Sequence, residues 1–85
     1  MSITQETTSG SLDSIESRER YGKLSERERE VFRFVARGFT APEIGQSLEI
    51  SPKTVDTYKH RINEKLELRH RSDYVVFALK LGIIG

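Results

Sequence analysis
The residues with the most chemistry to offer lie between Ser51 and Ser72. At helical spacing, Lys53, Thr54, Asp56, Thr57, His60, Arg61 and Glu64 share one face; Val55, Ile62 and Leu66 recur on the other, with Tyr58 or Lys59 between them on the inward side. Asp56, Thr57 and His60 end in short or planar polar groups suited to hydrogen bonds with base edges. Lys53, Thr54, Lys59, Arg61 and Lys65 flank them with groups suited to phosphate. An α-helix fits the major groove of B-DNA, where base pairs expose distinguishable donors and acceptors, and phosphate contacts set position while base contacts set sequence. The bland reading of the same stretch is a solvated helix face. For His60 this means a surface residue; for Tyr58, half-buried packing; for Lys65, a cation near a helix C-terminus, where it is favoured anyway.

Charge sharpens the choice. The chain of 85 residues has a net charge of only +1. Yet residues 51–72 hold Lys53, Lys59, Arg61, Lys65, Arg69 and Arg71 against Asp56, Glu64 and Glu67, with His60 and His70 in the same stretch. A basic excess inside a near-neutral chain suggests one anion-facing surface. Cysteine is absent, which excludes disulfides and thiolate metal sites, and the two histidines have no ligand spacing, so neither a metal nor another cofactor is expected. No Gly-rich phosphate loop, paired nucleophile and base, or carboxylate pair argues for an enzyme. No apolar run approaches the roughly 20 residues that span a bilayer, and the N-terminus does not read as a signal peptide, so no membrane contact is expected and a cytoplasmic protein is.

Around this face the sequence predicts four helices in one small all-α, bundle-like domain, residues 23–85, after a disordered tail or linker over 1–22. Residues 1–11 are rich in Ser, Thr and Gln; residues 12–21 fit either a short helix or a linker. Ser25 with Glu28 three positions on is a capping box, which opens a helix over about 26–37 that Gly38 stops, with Phe39 folding back toward the core. Thr40 and Glu43 form a second box, with Pro42 in the first turn, for a short helix over 41–48; Gly45 leaves room for another backbone. Glu49-Ile50-Ser51 is a tight connection. Ser51 as N-cap and Pro52 as first residue open the helix of interest, 52–66. A last helix over about 71–81 follows, with His70 as its cap and Gly82 at its end. It carries more apolar residues, from Tyr74 to Leu81, than one inward face needs. Two helices joined by a three-residue turn, the second polar on its outer face, describe a helix-turn-helix.

The signature Leu24-Ser-Glu-Arg-Glu28, Gly38-Phe-Thr40, Glu43-Ile44, Leu48-Glu-Ile-Ser51, Thr54-Val55, Ile62, Lys65-Leu66 and Arg71 resembles LuxR-type (FixJ/NarL-type) DNA-binding domains over residues 23–85. The resemblance implies a transcription regulator that binds double-stranded DNA as a homodimer, commonly as the output domain of a two-component response regulator. A receiver or sensor domain and RNA polymerase are then the further partners. It implies base contacts from Asp56, Thr57 and His60, and backbone contacts from Thr40, Lys53, Thr54, Lys59 and Lys65, to which the charge reading adds Arg61. The last helix would form the dimer contact, assigned to Tyr74, Phe77, Ala78 and Leu81. Departures from the family pattern are Asp56 in place of a basic residue, Tyr58 where histidine is common, and Ala41-Pro42 where a polar-basic pair is common. They bear on base preference, not on fold.

Two other functions fit parts of the chain. A promoter-reading domain of sigma-factor type has a similar helix order but needs a polymerase-binding surface. A helical protein–protein adaptor could use the apolar surface over 74–84, but has no need of Lys53, Thr57, His60 and Arg61 on one face.

Overall fold
The computed structural model describes residues 15–83, and over these the chain is all-α. Helix α1 is described over residues 15–22; α2 spans Glu26–Ala36, α3 Ala41–Leu48, α4 Pro52–Leu66 and α5 Arg71–Leu81. The four expected helices fall within one residue of their expected bounds. The fifth, α1, replaces the open choice between helix and linker, and it puts folded chain ahead of Lys23. The expectation for residues 1–11 lies outside the described residues.

Local signals set the boundaries. Ser25 Oγ accepts from the Glu28 N–H at 3.1 Å while Glu28 Oε1 accepts from the Ser25 N–H at 2.8 Å. Thr40 and Glu43 make the same reciprocal pair at the start of α3. Gly38 and Gly82 take the left-handed conformation, φ +95° and +73°, that ends α2 and α5. Helices α3 and α4 instead end on Glu49 (φ 59°) and Glu67 (φ 57°), which the sequence does not announce. A left-handed residue with a Cβ is strained by about 1–2 kcal/mol, so packing on either side must hold these two turns in place.

Phe32 is the centre of the core. Fully buried on α2, it meets Tyr21 edge-on at 5.4 Å, stacks on Tyr74 at 5.5 Å and meets Phe77 edge-on at 5.8 Å. Val31, Val35, Ile44, Val55, Ile62 and Leu66 fill the space between α2, α3 and α4. Tyr21 attaches α1: Arg33 Nη1 donates to its hydroxyl at 3.3 Å and the Arg29 guanidinium lies over its ring at 5.4 Å. Phe39 does fold back, edge-on to Phe34 at 5.2 Å, but at the surface and 37% exposed rather than in the core.

Gly45 fixes the geometry of the helix-turn-helix. A Cβ at this position would lie 2.5 Å from the Ile50 carbonyl oxygen, so only glycine lets α3 approach the turn into α4 this closely. With α3 against α4, and α2 against both α4 and α5, the outer face of α4 is left uncovered.

Candidate nucleic-acid interface
Helix α4 is fixed from its inward side. Val55, Ile62 and Leu66 are buried, as their spacing requires. Its start is built by Ser51, whose Oγ accepts from the Thr54 N–H at 3.1 Å and lies 2.9 Å from the Thr54 hydroxyl. Across the helix, the buried Tyr74 hydroxyl donates to Asn63 Oδ1 and lies 3.3 Å from the Lys59 carbonyl oxygen, which ties α5 to the middle of α4. Burial pushes the Tyr74 phenol well above the ordinary tyrosine range, so it remains a donor at any physiological pH.

The opposite face brings together the side chains expected on it. Lys53, Thr54, Asp56, Thr57, His60, Arg61 and Glu64 are all exposed, and Lys59 is half-buried at the edge. The Thr57 hydroxyl donates to the Lys53 carbonyl oxygen at 3.2 Å, which leaves its lone pairs outward. His60 Nε2 lies 3.6 Å from Glu64 Oε1, with both side chains largely in solvent. The Arg61 guanidinium lies 5.8 Å from the centre of the half-buried Tyr58 ring, a cation–π contact that limits how far the arginine can swing. Such a face, alternating cations, hydroxyls, an imidazole and carboxylates over about three turns, can donate to and accept from a polar surface along its length.

Other expected site residues sit differently. Lys65 is not a free cation: its Nζ lies 2.7 Å from Glu28 Oε1 and 3.3 Å from the Lys23 carbonyl oxygen. The Glu28 side chain is only 3% exposed, so Lys65 neutralises a buried carboxylate and locks the end of α4 to the start of α2. Desolvation by itself would raise the Glu28 pKa; the bonds from Lys65 and Ser25 outweigh it and hold the carboxyl below its ordinary value. Thr40 is exposed, but both its N–H and its hydroxyl are engaged by Glu43 Oε1, at 2.8 and 3.0 Å. That backbone bond is the main reason the Glu43 carboxyl is also held low. His70 marks the start of α5, yet the capping group is the Asp73 carboxylate, which accepts from the Arg69 and His70 N–H groups, both at 3.0 Å.

Of the four side chains expected at the dimer contact, Tyr74, Phe77, Ala78 and Leu81, three are used inside the single chain instead. Tyr74, Phe77 and Ala78 lie inside the core of the single chain at 3%, 7% and 0% exposure, and Leu81 is half-buried against it. Positions 74, 77, 78 and 81 form one helical stripe, and that stripe is the face α5 turns inward. The apolar side chains that α5 leaves outside are Val76 and Leu79, each about half exposed. Sequence reading also passed over the Glu28–Lys65 pair. The signal was present: Glu28 lies three and four positions before Val31 and Phe32, on the buried face of α2, where a carboxylate needs a cation.

Among the described residues no cluster of His, Asp and Glu could hold a metal ion, and no helix is long and apolar enough to cross a membrane. The family model for bacterial regulatory proteins of the luxR family matches residues 22–78, well over half of the chain. The chain is 34% identical over 72 residues to the oxygen regulatory protein NreC of Staphylococcus haemolyticus, covering 85% of this chain and 33% of that protein. Its counterpart in Staphylococcus carnosus is 38% identical over 61 residues, 72% of this chain and 28% of the relative. The response regulator protein VraR of Staphylococcus aureus is 36% identical over 66 residues, 78% and 32% respectively. The chain thus spans about a third of the length of these relatives. With its signature residues, its helix order and the tight turn at Gly45 all in agreement, the chain belongs to the luxR family of bacterial regulatory proteins and carries that family's helix-turn-helix DNA-binding domain.

Proposed function
We propose that this domain is the output part of a cytoplasmic response regulator, reading a specific operator with α4 in the major groove. The supporting observation is the uncovered polar face of α4, held at a fixed angle by Gly45, by the core and by the Tyr74 bond. Asp56, Thr57 and His60 read base edges. Asp56, where the family resemblance implies a basic residue, accepts from a cytosine amino group and shifts the preferred sequence. Lys53, Thr54, Lys59 and Arg61 hold phosphates on either side, and the start of α3 near Thr40 meets the backbone once more. Lys65 acts from within, as the anchor of α4.

A single copy presents few net positive charges and binds weakly; two copies joined through Val76 and Leu79 of α5 double the contacts. Half-sites about one helical turn apart follow from that arrangement. Binding measured over a salt series tests the reading. Lys53→Ala and Lys59→Ala each lower the slope of log affinity against log salt by about 0.9. Thr57→Ala and His60→Ala change base preference at one or two positions by about 1–3 kcal/mol. Salt-independent binding, or a uniform loss across all sequences for the last two variants, contradicts the assignment.

The adaptor reading is the weaker one. It leaves the exposed polar face of α4 without a purpose.

A further inference from the structure
Arg71 belongs to the sequence signature but has no part in the reading above. It is the first residue of α5, its side chain is exposed, and its Nη2 donates to the Phe39 carbonyl oxygen at 3.2 Å, one residue before Thr40. The start of α3 is poorly supplied with donors for a phosphate. Pro42 has no N–H, the Glu43 N–H goes to the Thr40 hydroxyl at 3.4 Å, and the Thr40 N–H and hydroxyl go to Glu43, which leaves the Ala41 N–H as the remaining donor of the first turn. The Glu43 carboxylate, moreover, stands as a negative charge where a phosphate would arrive. Arg71 acts on that carboxylate electrostatically, and it brings a fork of five N–H donors, of which the Phe39 carbonyl takes one group.

We propose that Arg71, rather than Thr40, makes the DNA phosphate contact beside the start of α3, so that the duplex is held from α5 as well as from α4. The proposal rests on the DNA-binding reading and names the group that acts at one of its contacts. The bond to Phe39 orients the guanidinium toward α3 and restricts its motion, which lowers the entropy lost when a phosphate binds. Guanidinium geometry also suits two phosphate oxygens at once.

The test is fluorescence anisotropy of the full chain with labelled random-sequence duplex DNA over a salt series, with circular dichroism to confirm folding. Arg71→Ala is expected to weaken binding roughly three- to tenfold and to lower the salt slope by about 0.9, and Arg71→Lys to recover most of the slope. Glu43→Gln keeps the capping geometry and removes the opposing charge, and is expected to tighten binding several-fold. Wild-type slope and affinity in Arg71→Ala overturn the proposal. So does a loss shared equally by Arg71→Ala and Arg71→Lys with the slope unchanged, which makes the arginine a structural tether. If Arg71→Ala does not fold, Glu43→Gln decides: tighter binding supports the proposal and unchanged binding overturns it. Folded wild-type chain that binds no duplex overturns the DNA-binding reading as well, whereas normal sensitivity to Lys53→Ala beside an inert Arg71→Ala overturns this inference alone.

Discussion

Replacing Lys65 by methionine separates two roles that one lysine could have. The stem keeps its volume and the charge is lost, so the Glu28 carboxylate, 3% exposed, keeps its bond from the Ser25 N–H but has no cation. Removing one partner of a fully buried pair costs about 3–5 kcal/mol. Here the lysine is 39% exposed and water can follow into its place, so the expected loss is nearer 2 kcal/mol. For a domain of this size that lowers Tm by roughly 10 °C. Glu28→Gln is milder, about 1 kcal/mol, because glutamine still caps α2 and the freed lysine turns to solvent. The double variant should be more stable than Lys65→Met alone, since no charge is stranded, and the cycle yields a coupling of about 1 kcal/mol or more. The pH dependence has a fixed sign. A carboxyl held below its ordinary value contributes stability that is complete above the ordinary carboxylate pKa and is lost as pH falls through the lowered one. The gap between wild type and Lys65→Met, measured by urea denaturation at about pH 7 and about pH 3, should therefore shrink in acid. A Lys65→Met protein within about 0.5 kcal/mol of wild type that has lost one unit of salt slope in DNA binding refutes the anchor, and makes Lys65 a phosphate contact after all.

Other outcomes follow from single contacts. Gly45→Ala drives a methyl toward the Ile50 carbonyl oxygen and should cost about 1–3 kcal/mol in thermal denaturation, with DNA binding lost in parallel. Glu49→Gly relieves the left-handed turn between α3 and α4 and should raise stability by roughly 0.5 kcal/mol after the entropy of glycine is deducted, readable as a higher urea midpoint. Tyr74→Phe removes the bond to Asn63 and should cost about 1–2 kcal/mol while leaving the aromatic stack on Phe32 in place. Leu79→Glu should keep the fold by circular dichroism and weaken self-association in sedimentation, whereas Phe77→Glu should unfold the chain.

Helix boundaries were legible because they are written locally. Ser25 with Glu28, Thr40 with Glu43, Ser51 with Pro52, and the glycines at 38 and 82 act over three or four residues, which a sequence displays directly. The outer face of α4 was legible for a related reason: burial of Val55, Ile62 and Leu66 at helical spacing leaves only one way for the rest to point. What failed needed knowledge of which helix lies against which. A helix such as α5, apolar at every position from Tyr74 to Leu81 but Lys80, shows no inside in its sequence, and its inward stripe was assigned to a partner. Lys65 looked like any surface cation because its carboxylate lies 37 positions away. The left-handed glutamates are held by tertiary packing against their own propensity, so no local rule points to them.

The hydroxyl of Tyr74 reaches Asn63 and the Lys59 carbonyl from the buried side of α5, while Val76 and Leu79 leave the same helix on its other side. If a second copy joins at Val76 and Leu79 as proposed, one rigid stack separates it from the outer face of α4, with no loop between to absorb a misfit. The rotational register of two half-sites would then be a property of the domain's own packing. A repacked Tyr74 would be felt as a changed preference for operator spacing before it was felt as loss of affinity.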